Sequence, residues 1–188
     1  MNDNKITLHS IDRNHLDATK LLEIYEKSFP ESERIASTLY YDMLEEYAID
    51  IYGIYEDTTL VGLVNMMPRQ HNGITYIWFL AIAENFRDKG IGGKAIELLK
   101  PLYPNCQFVL DMEPLDPLSE NYQERLRRTR FYERHGFVRT GRGMKYFGQS
   151  FEIMCTNPPF READFRKHYV EPAFVEWNPE FFDITLPQ

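Results

Sequence analysis

The chain has 188 residues, 43% hydrophobic and 27% charged, which suits one compact domain and excludes a disordered chain. Its formal net charge of -8 leaves no global basic field, so neither nucleic acid nor an anionic membrane is expected as a partner. Cys106 and Cys155 read as buried thiols in a reducing compartment, and the start carries no signal-like pattern. The longest apolar run, 76–83, is too short to cross a bilayer, so a cytoplasmic, soluble protein is expected.

Residues 5–11 alternate polar and apolar side chains and predict a first strand. Asp17 then reads as the N-cap of a helix that places Leu21, Leu22, Tyr25 and Phe29 on one face and stops at Pro30. A second helix is expected with Ile35, Leu39, Met43 and Tyr47 as its buried stripe. Residues 49–55 and 60–67 predict two strands joined by a polar turn at Glu56, Asp57 and Thr58. The almost unbroken apolar run 74–83 predicts a central strand covered on both faces.

After a glycine-rich turn, Ile91, Ala95, Leu98 or Leu99, and Leu102 trace an amphipathic helix ended by Pro101 and Pro104. Residues 107–112 predict a buried strand. An arginine-rich helix follows over 122–135, with Gly136 as its C′ residue, and then a hairpin, 137–147 and 151–155, around Gly148. This order predicts a mixed α/β single domain over 1–156. Residues 157–188 lose periodicity but keep Phe160, Phe165, Tyr169, Phe174, Trp177, Phe181 and Phe182. That is too aromatic for a disordered tail, so an extension packed on the domain, on a partner subunit or on the rim of the site is expected. Homodimerisation through the tail or the last hairpin stays open, since neither charge nor pattern argues for it.

The segment richest in chemistry runs from the central strand through Glu84, Asn85 and Phe86 into Arg87, Asp88, Lys89, Gly90, Ile91, Gly92 and Gly93, which open a helix. The glycines let the backbone approach closely and converge its N–H groups, and the helix N-terminus adds partial positive charge. Arg87 and Lys89 add formal charge, so two linked phosphates are a natural occupant. A glycine-rich turn with solvated charges is the bland alternative. A P-loop fails, because Asp88 stands where its first glycine belongs and Ala95 where Ser or Thr follows the lysine. A Rossmann fingerprint fits Gly90, Gly92 and Ala95, with Asp111 closing the next strand. Its first turn would be too long here, and the preceding strands read as an antiparallel meander.

Leu80, Ala81 and Ile82, followed by Arg87 and then Gly90, Ile91, Gly92 and Gly93, resemble the cofactor motif of the GCN5-related N-acetyltransferase (GNAT) family. Phe131, Tyr132, Glu133, Arg134, His135, Gly136 and Phe137 are similar to its second motif, an aromatic pair closing a helix before Gly-Phe. The resemblance covers roughly residues 5–155. It implies a GNAT-like domain with a mixed, mainly antiparallel, splayed sheet flanked by helices, using acetyl-CoA as cosubstrate and no metal.

The resemblance further implies that pantetheine bonds to the backbone of Leu80, Ala81 and Ile82. It implies that the Ile82 N–H donates to the thioester oxygen, and that residues 87–93 hold the phosphates. Tyr132 takes the place of the acid that protonates the leaving thiolate; the alternative is an aromatic packed beside Phe131 and Phe137. The family's usual chemistry is direct attack by a primary amine of a small molecule or peptide. Glu113, alternating with Asp111 on one strand face, is a candidate base, as is Glu33; a solvated strand end is the alternative for Asp111 and Glu113. The glutamate that some members carry on the central strand is Tyr76 here, and Arg125 and Arg128 replace the family's Asn and Ala on the face of Tyr132. Those arginines either meet an anionic ligand or pair with Glu120, Glu124 and Glu133. His9, His15, His71, His135 and His168 show no ligand spacing. A non-catalytic acyl-CoA-binding module and a nicotinamide-dependent oxidoreductase are the competing functions.

Overall fold

A computed structural model describes residues 4–67, 73–146, 148–173 and 178–185. His71, Phe147, Phe174 and Trp177, named above, lie outside them. The strands hydrogen-bond in the order β1-β2-β3-β4-β5-β7-β6-β8. Contacts group into two units: residues up to 67 with 77–104, and residues 73–76 with 105 onward, so that β4 contributes to each.

The first unit is an antiparallel meander with helices. β1 (Ile6–Ser10) pairs with β2 (Asp50–Glu56), and β2 with β3 (Thr59–Met67) through a turn in which Asp57 adopts a φ of 53°. β4 (Ile74–Ile82) follows. Helix α1 (Ala18–Ser28) buries Ala18, Leu21, Ile24 and Tyr25. Ile24 is therefore buried where the sequence pattern placed Leu22. Asp17 sits at the N-cap without a side-chain capping bond; its carboxylate instead accepts the Tyr55 hydroxyl at 2.7 Å.

The expected stripe of the second helix needs correction. Helix α2 spans only Tyr40–Glu46 and buries Tyr40 and Leu44, leaving Leu39 52% exposed. The Tyr40 hydroxyl and the Asn65 side chain bond each other at 2.9 Å in the core, so a tertiary polar contact selects the buried face. Helix α3 (Ile91–Leu99) buries Ile91, Gly93, Ala95, Ile96 and Leu99. Leu98 and Leu102 are 36% and 49% exposed, which removes them from the expected stripe.

The second unit holds β5 (Gln107–Met112), helix α4 (Tyr122–Arg134), and the hairpin β6 (Val138–Tyr146) with β7 (Gln149–Cys155). Gly136 and Gly148 take φ of 89° and 74°, as a helix C′ residue and a hairpin turn require. β5 pairs antiparallel with β7. Its parallel ladder with β4 covers Ile74, Thr75 and Tyr76 among the described residues. A buried Glu152 on β7 takes both ends of the Arg139 guanidinium at 2.7 and 2.8 Å.

The residues after β7 continue this unit. Short helix α5 (Glu162–Phe165) runs through a π-turn (Arg166–Val170) into α6 (Glu171–Ala173), and β8 (Glu180–Asp183) pairs antiparallel with β6. The buried side chain of Gln107 ties the segment down, donating to the carbonyls of Asn157 and Pro159 and accepting the Arg161 N–H at 3.0 Å. Phe165 and Tyr169 are fully buried against the ring of Tyr76, and the Tyr169 hydroxyl donates to the Ile74 carbonyl at 2.8 Å.

Candidate active site

In the first unit, Leu80, Ala81 and Ile82 form the end of β4. Leu80, Ile82 and Phe86 pack on a cluster of Ile54, Val61, Ile91 and Ala95, which seats the start of α3 against the strand end. A Cβ on Gly62 of β3 would lie 2.4 Å from the Ala81 carbonyl oxygen, so only glycine permits this approach. Beyond β4, Asp88 and Gly90 adopt φ of 60° and 75°. Gly90 is the N-cap of α3, with nothing within 4 Å of a virtual Cβ; its freedom of φ, not of space, is what the turn uses.

The leading amides of α3, from Ile91, Gly92 and Gly93, have no acceptors within the helix and form an anion-binding end. Arg87 donates through Nε to the Ile82 carbonyl at 2.9 Å, which holds its guanidinium at the strand end. Lys89 donates to the Asn85 carbonyl at 2.9 Å and lies over the Phe86 ring. Backbone donors, a helix N-terminus and two cations fit a diphosphate well.

In the second unit, Tyr132 is half-buried on α4 with its ring edge-on to Phe131 and Phe137. Its hydroxyl makes no hydrogen bond among the described residues. Burial pushes its pKa up to about 12, with the Arg128 charge opposing and the Asp111 charge assisting, so the phenol stays a proton donor at neutral pH.

Glu113 is not free. Arg125 pairs with its Oε1 at 2.8 Å, Arg128 with its Oε2, and the Asn121 amide reaches both oxygens at 3.2 and 3.3 Å. Burial works against this carboxylate, yet the bonds from Arg128 and Asn121 and the charges of both guanidinium groups prevail and lower its pKa. Arg125 and Arg128 thus grip Glu113 rather than the glutamates of their own helix. Arg125 also donates to the Pro114 carbonyl at 2.9 Å.

Asp111 has different company. Tyr76 of β4 donates to its Oδ1, and Tyr146 of β6 donates to its Oδ2 at 2.8 Å. Burial raises its pKa, and the two phenols offset that only in part. Tyr146 went unremarked in the sequence; no local pattern marks it, because its partner lies on another strand. Glu33 is half-buried at the end of an otherwise exposed 3-10 turn, Glu31–Glu33, of the first unit. Among the described residues no group of His, Cys, Asp and Glu could hold a metal ion, and no helix is long and apolar enough to cross a membrane.

A mixed α/β fold with a glycine-rich turn opening a helix after a central strand, and a half-buried tyrosine near the end of a later helix, is the arrangement of an acyl-CoA-dependent transferase. The model of the acetyltransferase (GNAT) family matches residues 18–137, more than half of the chain, and the chain belongs to that family. It is an acetyl-CoA-dependent N-acetyltransferase, which sets aside the nicotinamide reading.

Several solved structures share the fold. A GNAT-family acetyltransferase from Bacteroides thetaiotaomicron is 20% identical, with 86% of this chain and 92% of that one covered and a TM-score of 0.63. A GNAT acetyltransferase from Elizabethkingia anophelis, with acetyl-CoA bound, is 19% identical over 82% of this chain and 98% of its own, at a TM-score of 0.53. An Arabidopsis thaliana protein in complex with the bisubstrate analogue CoA-Ac-MVNAL is 16% identical over 81% and 99%, at 0.58. Such identities carry the fold alone. Curated proteins show no significant match.

Proposed function

We propose that the protein moves the acetyl group of acetyl-CoA to a primary amine of a small molecule or peptide by direct attack, in the cytoplasm. The observation that carries the reading is the Tyr132 hydroxyl, half-buried, protonated at neutral pH and without a hydrogen-bond partner among the described residues. A desolvated phenol with an unused proton suits a leaving thiolate better than it suits a packing role.

Arg87, Asp88, Lys89, Gly90, Ile91, Gly92 and Gly93 hold the CoA phosphates in this reading, supported by the left-handed residues and by the N-terminus of α3, which has no side-chain cap. The backbone of Leu80, Ala81 and Ile82 receives the pantetheine arm, and the Ile82 N–H serves as the donor to the oxygen that gains charge. Glu113 acts as the anchor of α4: it is gripped by Asn121 at the helix N-cap and by Arg125 and Arg128, which precede Tyr132 on the helix. An amine acceptor is supported by the family and by the peptide-bearing analogue on the Arabidopsis fold neighbour. The free, buried thiol of Cys155 supports a reducing compartment.

Tyr132→Phe tests the assignment. Its turnover with a panel of amines should fall about 100-fold or more, while acetyl-CoA still raises its melting temperature as in the wild type. Unchanged turnover would remove Tyr132 as the acid. Wild-type binding of acetyl-CoA without transfer to any amine would favour a non-catalytic module.

A further inference from the structure

The two carboxylates on one face of the β5 strand end are treated in opposite ways. Glu113 is saturated by two guanidinium groups and an amide, whereas the donors to Asp111 among the described residues are neutral: Tyr76 on Oδ1, Tyr146 on Oδ2 and its own backbone N–H. A carboxylate has about four acceptor positions, so with these three donors Asp111 still has room to accept. Asp111 is half-buried rather than sealed. Its surroundings also belong to the second unit: Tyr132 on α4 feels its charge, Ile153 is its register partner on β7, and Phe165 and Tyr169 pack against the ring of Tyr76.

Resting on the proposed amine acetylation, we infer that Asp111, clamped between the phenols of Tyr76 and Tyr146, is the base that takes the proton from the acceptor's ammonium group. Neutral donors hold the carboxylate in place without cancelling its charge, so an ammonium can still pair with it. Burial strengthens it as a base relative to Glu113, whose neighbours weaken it.

The protons balance. Asp111 takes one proton from R–NH3+, giving R–NH2 and the neutral acid. The nitrogen lone pair forms the C–N bond to the thioester carbon, and the C–S bond breaks with its electron pair on sulfur. Tyr132 supplies a proton to that sulfur and recovers one, through water, from the excess proton on the new amide nitrogen. Asp111 then releases its proton to bulk water, the single proton that the overall reaction sets free.

The test uses the full chain, acetyl-CoA and a panel of spermidine, lysine, tyramine and a tripeptide with a free α-amino group. Asp111→Asn should bind acetyl-CoA as the wild type does, and its kcat/KM should fall about 100-fold or more with loss of the acidic limb of the pH profile. Tyr146→Phe removes one donor from the ionised carboxylate, so it should move the acidic limb to higher pH with the plateau retained. The Asp111 carboxyl carbon, followed by NMR without acetyl-CoA and identified by its absence in Asp111→Asn, should shift its titration midpoint in the same direction. Wild-type kcat/KM and an unchanged acidic limb in Asp111→Asn would overturn the assignment and leave the acetyltransferase reading standing. So would an NMR midpoint that moves in Tyr146→Phe while the kinetic limb does not. No transfer by the wild type to any amine of the panel would overturn both.

Discussion

Two glycines near the turn between β4 and α3 separate backbone strain from steric exclusion. Gly90 has a φ of 75° and empty space around it, so Gly90→Ala meets a conformational cost of roughly 1–2 kcal/mol and nothing else. Gly62→Ala instead drives a methyl group to 2.4 Å from the Ala81 carbonyl oxygen, and the end of β4 must shift. Calorimetric titration with acetyl-CoA should show the larger loss of affinity for Gly62→Ala, although Gly90 is the residue in the turn between β4 and α3. Equal losses would mean that the backbone of residues 80–82 takes no part in binding. Gly90 was legible from its spacing to Gly92 and Gly93. Gly62 was not, because its constraint comes from a neighbouring strand.

At the scale of elements, the C-terminal segment makes the strongest case. Phe165 is fully buried against Tyr76, Tyr169 and Phe160, so Phe165→Ala should lose about 3–5 kcal/mol, read by urea unfolding. A loss below about 1 kcal/mol would show that the segment is not part of the folded core. Its aromatic richness was visible in the sequence, but the pairing of β8 with β6 was not, since four residues carry too little pattern to define a strand. The buried face of α2 was misjudged for a related reason. With seven residues, the helix offers two equally apolar faces, and the bond between Tyr40 and Asn65 chooses between them. In α4 the helical position of Tyr132 was readable from the aromatic pair before Gly136, but the grip of Arg125 and Arg128 on Glu113 depended on where β5 ends.

For the whole molecule, linkage sets opposite limits at the two ends of the pH scale. Glu113 and Glu162 have pKa values below 4.5 in the fold, so the stability they contribute is present above pH 4.5 and is lost as the pH falls through their folded values. Glu113→Gln should cost about 1–3 kcal/mol near neutrality and make the acid limb of the stability profile shallower. An acid limb as steep as the wild type's would show that the pair with Arg125 and Arg128 does not form in solution. Tyr41 and Tyr132 run the other way. Burial raises both from 10.0 to about 12, so their contribution is complete below pH 10 and is lost as the pH rises towards 12. Thermal melts between pH 9 and 12 should fall in two variants less than in the wild type, namely Tyr41→Phe and Tyr132→Phe.

The sequence by itself determined the order of strands and helices up to residue 155, the glycine-rich turn between β4 and α3, and the helix that carries Tyr132. Each of these rests on contiguous residues whose periodicity, glycines and caps act over one or two turns of chain. Only the tertiary structure decided what surrounds each carboxylate. Asp111 on β5 and Glu113 just past its end are two residues apart and look alike in sequence. Their difference lies in what other elements bring to them: phenols from β4 and β6 to Asp111, guanidinium groups from α4 to Glu113. A carboxylate's basicity follows from its burial and its partners, and those are fixed by the packing of distant segments.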